Sequence, residues 1–396
     1  MSNKLHRIYI LSFLFSLHLA LSAYVNSTFL SKIVGEHFVG LLYTISALVT
    51  LILLSNTRVI LKYFGNKRLT VIFLLINVLG LFGLIQSTNA IVVSLSFILF
   101  IVTNYLSLYC LDIFIEHFGN PESIGKTRGI YLTFLNIGWV ISPLITSYLI
   151  ANQGGYISVY ILAFFTVCIM IIGLLFGVGT FEDKSYEKKP FLEMYRFIQK
   201  NRHIRAIAII NFLLQFFFSW MVVYTPIYLY EYIGLGWDKL GIIFTIMLLP
   251  FVLLGIPLGK LIDNYHFHKR KMLVWGTIII SITTISISFI STNSIALWAF
   301  VLFMTRVGGA IIEVVSEIYF FTHVREEESS ILSIFRDMTP LAYIIAPLIA
   351  TLFLSFFPFK YLFLTLGILM LTSLYYIKLL KHTSEFYENN GTNTNK

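Results

Sequence analysis

Long apolar runs separated by short polar breaks are the dominant pattern of this chain. Runs of about 20 residues match the length of helix that crosses a bilayer core about 30 Å thick. The pattern predicts an all-α integral membrane protein of about 12 transmembrane helices. The predicted spans are 8–31, 38–56, 69–87, 91–116, 130–151, 156–179, 204–232, 239–261, 272–291, 295–321, 330–357 and 360–380.

Composition supports a membrane environment. The chain has 396 residues, of which 58% are hydrophobic and 12% are charged, whereas soluble domains are about 25% charged. The net charge of +9 comes from basic residues in short connectors, which argues against a nucleic-acid partner. The only cysteines, Cys110 and Cys168, lie inside apolar runs. We therefore expect them to pack, with no disulfide and no metal site.

Alternate connectors carry nearly all of the positive charge. By the positive-inside rule, both termini are expected in the cytoplasm of a multi-pass cell membrane protein. The first run exceeds the apolar core of a signal peptide and is interpreted as a retained helix. The basic connectors hold Lys4 and Arg7; Arg58, Lys62, Lys67 and Arg68; Lys126 and Arg128; segment 180–203; Lys260 and Lys269–Lys271; Arg325; and Lys378 and Lys381, and the opposite set holds Lys32, Lys239 and Lys360.

One long connector divides the spans into six plus six. The sequence predicts an N-terminal bundle at 1–179, a cytoplasmic linker at 180–203, a C-terminal bundle at 204–381 and a disordered tail at 382–396. The fourth span of each half carries two acids at i and i+4, which share one helical face. Each pair precedes a proline by roughly 30 residues, which favours a parallel repeat. The pairs are Asp112 with Glu116 and Glu313 with Glu317, and the prolines are Pro143 and Pro347.

Two cytoplasmic connectors carry a related motif. The connector after span eight reads Gly259-Lys260-Leu261-Ile262-Asp263 and continues to the basic cluster Lys269-Arg270-Lys271. This resembles the loop signature of major facilitator superfamily transporters. The connector after span two keeps Gly65 and Arg68 but has Lys62 where the family has an aspartate. The resemblance implies two six-helix bundles that rock about a central substrate site, in a protein expected to be a monomer.

The loop motif also suggests a cytoplasmic latch. Asp263 could bind the positive end of span five, near Arg128, when the inner side is closed. The alternative is a solvated loop acid. With Lys62 in place of an acid, the equivalent latch onto span eleven should be weak. Arg336 and Asp337, near the start of span eleven, could reach Glu313 or Glu317.

Ionisable residues at membrane depth are the main candidates for function, since each costs at least about 2.5 kcal/mol to insert. Arg306 should lie near the midplane, with Glu313 and Glu317 further along the same face. It either pairs with Glu313 or binds an anionic group of the substrate. His18, flanked by Ser22 and Asn26, either relays a proton or makes an interhelical hydrogen bond. The remaining candidates for substrate or ion coupling are Asp112, Asn136, Gln215 and Trp220.

The chain contains no Walker phosphate loop, no His-Glu-x-x-His motif and no Gly-x-Ser-x-Gly motif. It is therefore expected to be neither an ATP-driven pump nor an enzyme, and to use no cofactor. The leading hypothesis is a secondary active transporter of a small solute, with protons as coupling ion. An uncoupled facilitator, a membrane-embedded enzyme acting on lipid-linked substrates, and a transporter-like scaffold or sensor stay open as alternatives.

Overall fold

The structure is a computed structural model that describes residues 3–118, 124–152, 154–179, 199, 201–255, 257–258, 261, 269–323 and 329–380. These residues are almost entirely helical, and none of them forms a strand. The helices are α1 Asn3–Ala23, α2 Asn26–Val34, α3 Glu36–Phe64, α4 Asn66–Gln86, α5 Ala90–Phe118, α6 Ile124–Asn152, α7 Tyr156–Gly177, α8 Arg202–Ile227, α9 Trp237–Leu253, α10 Lys269–Ile287, α11 Ile295–His323, α12 Ser329–Leu354, α13 Tyr361–Leu371 and α14 Ser373–Lys378.

The helices confirm the all-α membrane architecture. Ten described segments are long and apolar enough to cross a membrane, and a shorter apolar helix covers Met338–Leu354. The predicted eighth span corresponds to α9, which has 17 residues and ends at Leu253. The sequence places the end of this span near residue 261, and beyond a break at Leu254 the described residues 255, 257, 258 and 261 are again helical. Pro250 and Pro257 flank the observed end, and each proline lacks the N–H that a helix needs.

Three further predicted spans are not single helices in the described residues. The first span breaks at Tyr24 and Val25, so that α1 and α2 are separate helices. The seventh continues past Pro226 as a π-helical turn, Tyr228–Tyr232. The twelfth is divided at Thr372 into α13 and α14. These breaks give the chain local bends that apolar periodicity does not reveal.

Two glycines make the tight turns between helices in the first half. Gly35 joins α2 to α3 with φ 85°, and Gly65 joins α3 to α4 with φ 72°. Both conformations are left-handed, which favours a residue without Cβ. Their N–H groups bond to Ser31 O at 3.0 Å and Leu61 O at 2.8 Å. Gly65 of the loop motif is therefore required by the backbone.

The chain forms two compact units, which are described separately. Unit 1 comprises residues 1–188, 220–246 and 343–356. In this unit α1 packs against α6 and α7, and α4 packs against α5 and α7. Unit 1 therefore contains the described spans of the first half together with one end of α8, α9 and α12.

Unit 2 comprises residues 189–219, 247–342 and 357–396. Here α10 packs against α11, α13 and α14. Gly276 and Gly308 allow α10 and α11 to approach closely, since a Cβ added at Gly308 would lie 2.7 Å from Gly276 O. The third span of each half thus contacts the fourth and sixth spans of the same half. This repetition is what a parallel repeat predicts.

Candidate functional site

His18 lies in a fully buried polar cluster inside unit 1. Its Nδ1 is 3.0 Å from Ala163 O on α7, and its Nε2 is 3.1 Å from Asn104 Oδ1 on α5. Asn77 on α4 donates from Nδ2 to the same Asn104 oxygen at 3.1 Å. The cluster joins four helices by hydrogen bonds. The expected neighbours Ser22 and Asn26 take no part, because Ser22 bonds to Leu19 O and Asn26 accepts from Tyr160.

Arg306 is the largest buried cation in the described part of unit 2, with 2% of its surface exposed. Its guanidinium carbon lies 5.6 Å from the ring centroid of Phe217 and 5.2 Å from that of Phe218. A guanidinium over two aromatic faces is held by cation–π attraction, which strengthens away from water. Further along α11, Glu313 is half-buried and Glu317 is exposed. Arg306 therefore carries a fixed positive charge at membrane depth.

The remaining candidates occupy separate positions on both units. In unit 1, Asp112 on α5 and Asn136 on α6 are half-buried. Trp220 is buried and donates from its indole nitrogen to Ala346 O. In unit 2, Gln215 accepts a hydrogen bond of 3.1 Å from Thr339. Trp220 and Gln215 therefore bind neighbouring helices.

A set of contacts within unit 1 joins segments from the two sequence halves. We call it the outer face and define it as the described residues 31–40, 147–152, 154–156, 224–241 and 344–351. Ser31 donates to Glu231 at 2.6 Å. Tyr232 donates to both oxygens of Glu36 at 2.9 Å. The charge pattern of the connectors predicts that this side faces away from the cytoplasm.

Lys32 occupies the aromatic part of the outer face. Its ammonium lies 4.8 Å from the ring centroids of Tyr156 and Tyr230, and it donates to the Tyr230 hydroxyl at 3.2 Å. Partial burial lowers the pKa of Lys32, but the Tyr230 hydrogen bond and the charge of ionised Tyr156 outweigh it and raise the pKa above the usual value. The contribution of the Lys32 ammonium to the stability of the folded protein is therefore complete below the usual lysine pKa. It is lost only as the pH rises through the raised pKa of Lys32.

Two glycines bring helices of the two halves into direct contact at the outer face. A Cβ at Gly40 on α3 would lie 2.7 Å from Pro347 O on α12. A Cβ at Gly241 on α9 would lie 2.8 Å from Pro143 O on α6. Ser147 on α6 also donates to Trp237 O at 2.6 Å. The outer face is therefore tightly closed in this structure.

The basic residues of the two loop motifs have matching positions. Lys67 donates to Gly179 O at 2.7 Å and to Leu175 O at 3.2 Å, at the end of α7. Arg270 donates to Lys378 O at 3.2 Å, at the end of α14. In each half a motif cation thus binds the negative end of the sixth span.

The other motif residues give less information. Arg68 is exposed and Lys269 is half-buried. Gly259 and Asp263 lie outside the described residues, as do the tail, most of the linker, and the side chains of Glu116, Arg128, Arg336 and Asp337. The cytoplasmic latch therefore stays a prediction.

Sequence reasoning identified His18 and Arg306 but missed the groups that hold them. Asn77 and Asn104 were not selected, although both are amides inside apolar runs. Phe217 and Phe218 belong to a phenylalanine run that resembles ordinary lipid-facing sequence. The signal that could have identified the two asparagines is the free-energy cost of placing a polar side chain at membrane depth. This cost applies to asparagine as well as to charged residues.

In the described part of the chain, ten apolar helices of spanning length with ionisable side chains buried among them define a multi-pass membrane protein. The chain belongs to the Major Facilitator Superfamily, whose family model matches residues 8–241 and 238–394. The two matched stretches agree with the repeat seen in the packing.

Solved transporter structures share the fold at low sequence identity. A mutant form of the nucleoside transporter NupG is similar with a TM-score of 0.79 and 13% identity, over 96% of this chain and 100% of that one. A POT family transporter, PepTSo, is similar with a TM-score of 0.78 and 10% identity, over 96% and 97%. A comparison with the sequences of curated proteins finds no match. At these identities the likeness shows the fold.

Proposed function

We propose that this protein is a secondary active transporter that moves a small solute by alternating access and is driven by protons. The two six-helix halves, 1–179 and 204–381, are the moving bodies in this proposal. The protein acts in the cell membrane with both termini in the cytoplasm. The observation that carries the proposal is the closed outer face, where hydrogen bonds of 2.6 to 2.9 Å join residues about 200 positions apart in the sequence.

The outer-face contacts suit a reversible gate. They combine a few hydrogen-bonded polar pairs with close backbone approach at Gly40 and Gly241. Contacts of this kind can break and re-form in water. Surface pairs of this kind contribute only about 0.2 to 1 kcal/mol each. Such a face can open when substrate or ion binding stabilises the alternative state by a few kcal/mol.

Proton coupling is supported by ionisable groups inside the spans. His18 is buried in the first half, and Glu313 is half-buried in the second. Both side chain types can gain and lose a proton without a cofactor. Arg306 cannot, because its guanidinium stays protonated in proteins. We assign Arg306 to an anionic or polar group of the substrate and the titratable groups to the proton.

The test is transport-coupled proton movement in liposomes that contain a pH-sensitive dye. Nucleosides are screened first because one similar fold is that of a nucleoside transporter, followed by sugars, amino acids and amphipathic cations. We expect one class to change the internal pH on addition. The change should be abolished in Glu313→Gln and Arg306→Ala, and retained in Lys360→Gln, whose ammonium is exposed outside the outer face.

Two outcomes would contradict the proposal in different ways. Substrate flux without any pH change, at any imposed gradient, indicates an uncoupled facilitator. Absence of flux for every class, with turnover of a lipid-linked substrate in detergent, indicates an enzyme. A pH change that survives Glu313→Gln places the coupling group elsewhere in the chain.

A further inference from the structure

The buried cluster around His18 is a continuous chain of hydrogen bonds with a backbone carbonyl at each end. It runs from Ala163 O to His18, then to Asn104 and then to Asn77. At its far end Asn77 Nδ2 donates to Phe100 O at 3.1 Å and to Thr103 Oγ1 at 2.9 Å. His18 and both amides are 2% exposed or less. The chain is therefore shielded from solvent on every helix that contributes to it.

The far carbonyl fixes the orientation of both amides. A carbonyl oxygen can only accept, so the atom of Asn77 opposite Phe100 O must be Nδ2. That nitrogen also lies opposite the side chain of Asn104, which must present Oδ1, because two N–H groups would otherwise face each other. Asn104 Oδ1 is also the atom opposite His18 Nε2. The amide of Asn104 therefore offers an acceptor to His18.

With this orientation, both ring nitrogens of His18 face acceptors. Nε2 faces Asn104 Oδ1, and Nδ1 faces Ala163 O. A neutral imidazole has one N–H and one lone pair, whereas an imidazolium has two N–H groups. Only the imidazolium can complete both hydrogen bonds. In a neutral ring, the nitrogen without a hydrogen turns its lone pair toward the lone pair of an acceptor oxygen, which is repulsive. The only escape is to turn both amides over, and this breaks the hydrogen bond from Asn77 to Phe100 O.

The surroundings of His18 oppose the charge that the hydrogen bonds favour. The rings of Phe100 and Phe15 lie 5.6 and 6.3 Å from the imidazole centroid, and removing a cation from water is costly. The described groups that face the imidazole are Ala163 O, the amides of Asn104 and Asn77, and these rings. The described titratable and charged side chains of the helices packed around it lie at other positions: His6, Arg7 and Tyr9 on α1, Tyr24 between α1 and α2, Lys32 on α2, Lys67 and Arg68 on α4, Tyr105, Tyr109, Cys110, Asp112 and His117 on α5, Tyr131 and Tyr148 on α6, and Tyr156, Tyr160 and Cys168 on α7.

We propose that His18, Asn104 and Asn77 form a proton-binding site in the first half, in which His18 holds the proton as an imidazolium bonded to Ala163 O and Asn104 Oδ1. When the helices around it separate, the neutral ring takes a proton from hydronium at its unprotonated nitrogen, which leaves a water molecule, and the imidazolium releases the proton in the reverse step. Proton binding at this site depends on helix packing, because α1, α5 and α7 must stay in contact for both hydrogen bonds of His18 to form. The inference rests on the proposed function, since it assigns one binding site for the coupling proton of that function to these residues.

The direct test is nitrogen NMR of the full-length protein in nanodiscs, with ¹⁵N-labelled histidine and His18 assigned from the His18→Gln spectrum. Between pH 5 and 8, the interval in which histidine titrates, we expect His18 to show two protonated ring nitrogens at low pH. Asn104→Asp keeps the acceptor and adds negative charge, so the imidazolium signal should persist to a pH at least one unit higher, a tenfold gain in proton affinity. Asn104→Leu should shift the loss of this signal to lower pH.

Thr70→Val is the matched control, because Thr70 is buried on α4 and its hydroxyl bonds only to Asn66 O of its own helix. It should leave the His18 signal unchanged. A neutral His18 at every pH in the wild type would overturn the proposal. So would an unchanged titration in both Asn104 variants, whose expected shifts are in opposite directions.

A transport arm separates this inference from the proposed function. In liposomes, His18→Gln should retain substrate exchange and lose accumulation driven by a pH gradient, while Thr70→Val retains both. A titrating His18 without any proton-coupled flux would leave the site intact and refute the coupled function. Proton-coupled flux with a neutral His18 would retain the function and refute the site.

Discussion

Two buried ionisable residues, His18 and Arg306, are held in different ways. The His18 ring contacts hydrogen-bond acceptors at its edge, while the Arg306 guanidinium lies over the faces of Phe217 and Phe218. Hydrogen bonding at the ring edge is sensitive to the proton count of the imidazole. Stacking on aromatic faces holds a cation whose charge does not change. We therefore assign a variable charge to His18 and a fixed one to Arg306.

Arg306→Lys tests whether planar stacking matters beyond charge. Lysine keeps the cation but cannot stack a planar group on two rings, and a desolvated cation–π contact contributes about 2 kcal/mol. We expect transport to fall at least tenfold with little change in the amount of folded protein, as measured by liposome flux and size-exclusion chromatography. Wild-type flux in this variant would show that a positive charge alone is sufficient at this position.

At the scale of helices, glycines set the closest contacts. Gly276 and Gly308 allow α10 and α11 to touch, and Gly80 does the same for α4 and α5, where an added Cβ would lie 3.0 Å from Ser96 O and Phe100 N. Small residues at helix crossings let backbones approach in the absence of a hydrophobic driving force. The third and fourth spans of each half therefore form a tight pair.

Gly308→Ala should destabilise that pair in the second half. The new methyl group would meet backbone atoms of Gly276 and Ile280 at 2.7 Å, and overpacking of this kind costs about 1 to 3 kcal/mol. We expect a lower Tm in detergent. Gly255→Ala is the control, because no atom of the described residues lies within 4 Å of the added Cβ. An equal Tm in the two variants would mean that α10 and α11 separate at no cost.

At the scale of the whole molecule, the closed outer face connects the two sequence halves within unit 1. A transporter that works by alternating access must break these contacts and remake them in each cycle. Their reversibility is therefore a functional requirement as well as a structural one. The contacts at Gly40 and Gly241 are the most sensitive to added volume, since backbone oxygens of Pro347 and Pro143 lie opposite them.

Gly40→Ala and Gly241→Ala should each shift the protein away from the closed outer face. The expected result is a longer distance between spin labels at Thr88→Cys and Asp238→Cys, both exposed in unit 1, in a background without Cys110 and Cys168. Gly177→Ala is the control, since its added Cβ would meet only Arg7 Cδ at 3.7 Å. Unchanged label distances in both glycine variants would show that the closed contact tolerates a methyl group.

The sequence by itself determined the class of architecture, because lipid enforces it. Apolar runs of spanning length, six-plus-six division and the loop motif were sufficient to predict the helices and the family. His18 and Arg306 were also identified from sequence, since a polar group at membrane depth has a cost that local sequence displays. These features depend on residue type and on position along one helix.

The tertiary structure decided which groups meet. His18 binds Asn104 across 86 positions in the chain, and Ser31 binds Glu231 across 200. The same packing separated Asn26 from His18, because the first span breaks at Tyr24 and Val25. Apolar periodicity gives the face of a helix but not its partner, since lipid and a neighbouring helix are equally apolar surroundings. Only the folded arrangement therefore defines the proton chain around His18 and the closed outer face.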